Sequence, residues 1–247
     1  MHYIVRVPTP ADVLAGLIEE DSSRPALTFY DDEPGPTQHE RIEISRKVLG
    51  TWVAKAANAL QEGFDAEPGT LVRLDIPVPH WRMAYWAFAA WSVGATVTLD
   101  TFEGADVLVT TDPASPEAAD ADEVVAVSLP ALARAFDGDL RTGVMDEARE
   151  ISSFADTFTP WTGPEAGDVA LVAGGERTRY ADLVTRARER SGPASGRLLV
   201  TERDPATFLQ AVLGGLAAHG SVVMVRGADV DQQDPRMQSE GVDARFV

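Results

Sequence analysis

The sequence has no cysteine and only two lysines, Lys47 and Lys55. The first absence excludes a disulfide framework, thiolate metal ligands and thiol catalysis, and it suits a cytoplasmic protein of bacterial type. Positive charge is scarce as well. Lys and Arg total 21 against 39 Asp and Glu, for a net charge of -18. Such a chain repels phosphate backbones and anionic bilayers, so neither nucleic acid nor membrane is expected as a partner. Long apolar runs are also missing. The longest, Met83–Trp91, is far short of the roughly 20 residues that span a bilayer. The opening residues, MHYIVRVPTP, have neither the basic region nor the apolar core of a signal peptide. The four histidines, His2, His39, His80 and His219, are scattered without metal-ligand spacing, and no serine sits in a nucleophile elbow. On these grounds no catalytic residue and no metal ligand is assigned.

What is present is an α/β pattern of ordinary composition, 45% hydrophobic over 247 residues. A chain of this length can bury close to three quarters of its unfolded surface. Its centre is the stretch from Glu67 to Asp100. Leu71–Ile76 reads as a strand, Pro77-Val78-Pro79 as a corner, Trp81–Trp91 as a helix and Ala95–Leu99 as a second strand after Gly94. A right-handed crossover between parallel strands is the natural geometry. Trp81, Tyr85, Phe88 and Trp91 fall on one helical face, and with alanines filling the other side the helix reads as core. Trp86, on the opposite face, is expected to pack against a neighbouring element.

Before this unit, Pro10–Glu20 reads as a helix with Thr9 as N-cap, and Ala26–Tyr30 with Arg41–Ile44 as a hairpin. Ser45 caps a helix over Arg46–Gln61 whose inner face is Val48, Trp52, Ala56, Ala59 and Leu60. After the unit come a strand at Ala105–Thr110, an acidic linker to Asp122, a strand at Glu123–Ser128 and a helix at Pro130–Phe136. Residues 137–167 carry mixed signals and read as connection with one helical turn. Pro160, Gly163, Pro164 and Gly167 mark a lobe boundary, giving lobes 1–160 and 161–247 within one compact unit. The second lobe reads as strand Val169–Ala173, turn Gly174-Gly175, helix Thr178–Arg190, strand Arg197–Thr201, helix Pro205–Ala218 and strand Val222–Val225. A polar tail with Asp229, Asp231 and Asp234 leads to a final strand, Asp243–Val247, whose open edge oligomerisation would cover. An internal echo aligns RPALTFYDD with DVALVAGGE and GTLVRLDIP with GRLLVTERD. The plainer alternative is that any two strand–helix–strand units look alike.

The runs ISRKVLGTWVAKAANAL and EPGTLVRLDIPVPHWRMAYWAFAAWSVGATVTLD resemble the N-terminal region of AMP-forming acyl-adenylate synthetases, the group of acyl-CoA synthetases, peptide-synthetase adenylation domains and luciferases. Asn58-Ala59-Leu60, Gly69-Thr70-Leu71-Val72, Pro79-His80-Trp81 and Gly94-Ala95…Asp100 occupy the places of that family's scaffold motifs. The likeness covers most of 1–130 and continues loosely through Arg197–Gly227. It implies a fold of two lobes of mainly parallel strands flanked by helices, as in the front half of the synthetases' large domain, with ATP or AMP as the cofactor to test. The departures bear on chemistry. The family's phosphate loop is rich in Ser, Thr and Gly and ends in Lys, whereas AGGERTRYADL has two glycines, one Thr and no Lys. The adenine, ribose and magnesium motifs, and the lid with its catalytic lysine, would lie beyond Val247. The reading is a non-catalytic relative that binds a nucleotide, an acyl group or a protein partner, itself or another. The alternatives are a subunit of a split adenylate-forming enzyme completed by another chain, and a purely structural module.

Three places could carry a ligand. Gly174, Gly175 and Thr178 could surround an anion with Arg177 or Arg179 in place of the family's lysine, although Gly-Gly between two β runs is a strong hairpin signal and the turn is the preferred reading. Thr111 and Asp112 lie past the carboxyl end of a strand, where α/β sheets hold ligands, or form a turn capped by Asp112 before Pro113. His80 lies at a strand's carboxyl edge, or packs at a helix start. The acidic pairs Asp31/Asp32 and Asp120/Asp122 read as solvated surface.

Overall fold

Local signals start most of the elements in the computed structural model, which describes residues 7–101, 104–192, 196–227 and 230–246. Thr9 and Asp12 exchange cap bonds at 2.9 and 3.2 Å to open helix α1 (Pro10–Asp21). Strands β1 (Pro25–Asp31) and β2 (Arg41–Ser45) form an antiparallel hairpin, and Ser45 caps α2 (Arg46–Asn58), which runs on through a π turn at Ala59–Gly63. The central unit follows as β3 (Leu71–Asp75), α3 (Trp81–Ser92) and β4 (Thr96–Thr98), with β3 and β4 parallel. Next come β5 (Val107–Thr110), α4 (Pro116–Asp120), β6 (Glu123–Ala126), β7 (Met145–Asp146) and α5 (Glu147–Glu150). A second hairpin, β8 (Val169–Ala173) and β9 (Glu176–Arg179), leads into α6 (Tyr180–Ser191). Then β10 (Arg197–Val200), α7 (Pro205–Ala217), β11 (Ser221–Arg226), α8 (Val230–Ser239) and β12 (Ala244–Arg245) complete the order.

Two sheets result, β7-β6-β5-β3-β4-β8-β9 and β12-β10-β11-β1-β2, parallel except at the two hairpins. Taken from the hairpin inward, β9-β8-β4-β3-β5 matches β2-β1-β11-β10-β12 strand for strand. The echo in the sequence is therefore a repeated topology of hairpin, helix, strand, helix and strand. The hairpins are exchanged: the first half's β1 pairs with β11, and the second half's β8 pairs with β4. Residues 1–160 and 161–247 each contribute strands to both sheets. The first and last strands, β1 and β12, share one sheet.

Helices α1, α2, α3 and α7 pack on one another, with α3 touching β1 of one sheet and β3 and β4 of the other. Every residue of α3 is buried, which explains its near-absence of charge. Trp86 is fully buried as well, beside Tyr85, and Trp52 of α2 meets Trp81 and Tyr85 at 5.9 and 5.7 Å between ring centroids. On α2 the inner face is Leu49, Val53, Ala56, Ala57 and Leu60, while Val48 is exposed.

Several expectations are corrected. Pro130–Phe136 forms turns instead of a helix, with Leu132 at 92% exposure, so its apolar residues do not define a buried face. The linker before Asp122 holds the short α4, capped by Ser115. The polar tail is largely α8, held by Arg236 on Asp32 and Glu240 on Arg41 and Arg197. Asp229 and Val247 lie outside the described residues. Asp31 is buried, not solvated: its carboxylate accepts from Thr37 at 2.6 Å and from Arg226 at 3.0 Å.

Candidate functional site

The carboxyl ends of the seven-stranded sheet gather most of the residues singled out in the sequence. Gly174 and Gly175 join β8 to β9 with φ of 59° and 77°. Two successive left-handed residues are what a tight hairpin turn of this hand demands, and glycine adopts them without strain. Ala173 and Glu176 face each other across the turn. Such a turn points its two N–H groups to one side, forming a small anion cradle. The cradle is filled from within the chain. The carboxylate of Asp100, just past β4, accepts the N–H of Gly174 at 2.6 Å and that of Gly175 at 2.8 Å.

The other named residues do not converge on this point. Thr178 is buried in the hairpin ladder opposite Leu171, and Arg177 stands opposite Val172. Thr111 and Asp112 follow β5, which is separated from β8 by β3 and β4. At about 4.8 Å per strand that is roughly 14 Å. Their turn is closed by local bonds: Thr110 Oγ1 donates to Asp75 at 2.8 Å and accepts from the N–H of Asp112 at 2.9 Å. The Asp112 carboxylate accepts from Ala114 N–H at 3.2 Å.

His80 is the N-cap of α3 and fully buried, its Nδ1 accepting the N–H of Arg82 at 3.1 Å. That bond fixes the tautomer with the proton on Nε2. Burial, with help from Arg82 and Arg226, holds the ring well below its ordinary pKa, so it is neutral. Next to it lies a charged cluster that the sequence did not disclose. Glu147 accepts from Arg82 at 2.6 Å and from the Tyr85 hydroxyl, and both partners of the ion pair are almost fully buried. Burial drives the Glu147 carboxyl up, to about 7, against the pull of Arg82. Burial likewise raises Glu40, which accepts from the N–H of Ala131 at 3.4 Å. The cluster ties α3 to α5 and to the segment after β6, where Arg82 also donates to the Pro130 carbonyl at 3.3 Å. Glu147 sits in the stretch of mixed signals and gave no warning. Asp100 did, as the last residue of the Gly94-Ala95…Asp100 motif.

Among the described residues no three His, Cys, Asp or Glu side chains are grouped to hold a metal ion, and no helix is long and apolar enough to cross a membrane. Among the described residues of the site, the pair of turn amides is arranged for an anion, and a carboxylate already sits there.

No protein-family profile matches the sequence. A Mycobacterium tuberculosis protein described as a TIGR03089 family protein is 32% identical over 238 residues, covering 93% of this chain and 94% of that protein. Among solved structures, acetoacetyl-CoA synthetase from Streptomyces lividans matches with a TM-score of 0.75 at 15% identity, over 97% of this chain and 42% of the synthetase. Brucella canis acyl-CoA synthetase matches with a TM-score of 0.72 at 16% identity, over 94% of this chain and 46% of the synthetase. These likenesses show the fold, that of the N-terminal part of acyl-CoA synthetases. The chain spans less than half the length of either enzyme.

Proposed function

The chain belongs to the TIGR03089 family, and from its synthetase fold together with its occupied glycine turn we propose that it is a non-catalytic relative of the AMP-forming synthetases. The observation that carries this reading is the pair of bonds from Gly174 and Gly175 to Asp100. Adenylate formation brings a carboxylate against the α-phosphate of ATP, two anions that need cations and oriented N–H donors to neutralise them. Here the donors of the turn are spent on a carboxylate of the chain itself. A nucleotide phosphate at the same place would have to displace Asp100 and then lie beside it, in a protein of net charge -18. Neither lysine serves the turn: Lys47 and Lys55 both lie on α2, and Lys55 is bound to Asp156. Losing one preorganised donor typically costs about a hundred- to a thousandfold in rate.

In this reading the protein keeps the fold for binding, of a small molecule or of a protein partner, and has given up phosphoryl chemistry. The test is carboxylate-dependent exchange of labelled pyrophosphate into ATP, with short, long and aromatic acids. Exchange at the level of a no-protein control is expected. Exchange clearly above it would overturn the reading. Exchange that appears only when another chain is added would replace it with a split enzyme. Titration of ATP onto wild type and Asp100→Ala supplies the second arm: weak or absent binding to wild type and measurable binding to the variant are expected.

A further inference from the structure

At the other end of the fold, by the amino ends of β4 and β8, a cavity of about 1020 Å³ opens between α1, α2 and the segment 156–166. We propose that this cavity binds an uncharged, mainly apolar small molecule. The glycine turn lies at the opposite, carboxyl ends of the same strands and shares no residue with this cavity.

The walls are Leu14 and Ile18 of α1, Val53 of α2, Trp91, Tyr180 and Phe158. The two polar aromatics turn their polar atoms into the protein. Trp91 Nε1 donates to the Ala170 carbonyl at 2.8 Å, and the Tyr180 hydroxyl donates to the Ala95 carbonyl at 2.7 Å. What they offer the cavity is therefore carbon. A space this size is at the upper end of those that hold drug-sized molecules.

The outer wall is fastened by a row of side chains on one face of α2 and its π turn. Lys55 donates to the carbonyls of Ser152 and Phe154 at 3.1 and 2.6 Å. Asn58 donates to those of Ala155 and Thr157 at 3.1 and 2.9 Å. Gln61 donates to Thr159 at 3.3 Å and accepts the N–H of Trp161 at 2.8 Å. Asn58 and Gln61 are both buried. Three polar side chains thus fasten residues 152–161 to α2 and its π turn, with the Trp161 ring 67% exposed beside them.

Charge selects the class of ligand. The lining carries Lys47 against Asp12, Asp156 and Glu165, and Lys55 neutralises Asp156 at 2.7 Å. Mostly apolar walls in a chain of net charge -18 disfavour carboxylates and phosphates. The remaining polar groups are hydroxyls such as that of Thr51.

The experiment uses the full chain. N-phenyl-1-naphthylamine, an uncharged fluorophore, should bind saturably at one site and be displaced by dodecan-1-ol. Dodecanoate should compete about tenfold more weakly or worse. Ala15→Trp and Thr51→Trp, both placed to fill the lumen, should each lose binding by about tenfold while keeping a cooperative melt. A diazirine-bearing alkyl alcohol photolysed with the unmodified protein should label α1 or residues 156–166, a readout that does not depend on the variants folding. Absence of saturable binding, equal competition by dodecanoate, labelling confined to other elements, or unchanged binding in both folded variants would each overturn the proposal.

Discussion

A histidine at the start of α3 does work that a smaller cap could do without a ring. His80 supplies an acceptor to Arg82 N–H at 3.1 Å, as an Asn in the same place would. The ring adds contact with Phe29 at 4.6 Å and a titration that folding suppresses. The unfolded side chain takes a proton near pH 6.5, whereas the buried ring stays neutral well below that. Between the two values the unfolded chain binds one more proton, so stability falls as pH drops through that window, by about 1.4 kcal/mol per pH unit. Glu147 acts in the opposite sense. Its folded pKa of about 7 lies above the ordinary 4.5, so the native state binds the extra proton in that range and stability from this group falls as pH rises through it. The comparison that isolates the histidine is wild type against His80→Asn, in which Glu147 is common. Urea melts at pH 7.5 and 5.5 should show the variant losing about 1 kcal/mol less than wild type on acidification. Equal losses in the two proteins would mean that the ring is protonated in the native state.

Among the elements, α7 shows how context reverses a helix rule. Replacing glycine by alanine inside a helix ordinarily gains about 1 kcal/mol. At Gly16 of α1 a new Cβ meets nothing within 4 Å, so Gly16→Ala should follow the rule. At Gly214 it would fall on the carbonyl oxygen of Ala187 and on Ser191 Oγ, because α6 and α7 touch backbone to backbone there. Gly214→Ala should therefore cost about 1–3 kcal/mol, and thermal or urea melts of the two variants should move in opposite directions. Nothing in the sequence signals that contact, since a glycine inside an apolar run looks the same whichever way it faces. Elements announced by their own residues were legible: α1 from Thr9 and Pro10, α3 from its corner and Gly94, the β8–β9 turn from Gly174-Gly175. Elements held by distant partners were not. Helix α8 has few apolar residues and owes its place to Arg236 and Glu240, whose partners Asp32 and Arg41 lie some 200 positions away. The candidate site divides the same way. The turn could be read locally, but the carboxylate that fills it arrives from 74 residues earlier.

For the molecule as a whole, the exchange of hairpins decides how it can be divided. The run from Pro160 to Gly167 is rich in proline and glycine, and its exposure makes it an evident place to cut. A cut there would not release two folding units. The N-terminal piece would keep β3, β4, β5, β6 and β7 but lose β8 from the side of β4, and its own β1–β2 hairpin would have no β11 to join. The C-terminal piece would keep β10, β11 and β12 without β1, and its β8–β9 hairpin would stand beside nothing. Each piece would also expose half of the shared core, in which α3 packs against α7 and α1 bridges to both. An isolated two-stranded hairpin is marginal in water, and a half-covered sheet edge invites aggregation. Residues 1–160 and 161–247 expressed separately should therefore be insoluble or lack a cooperative melt. Expressed together they should co-purify as a one-to-one complex with the circular dichroism spectrum of the uncut chain. A sharp unfolding transition from residues 161–247 alone would show that the hairpin exchange is not what holds the halves together, and that the second half carries enough core of its own.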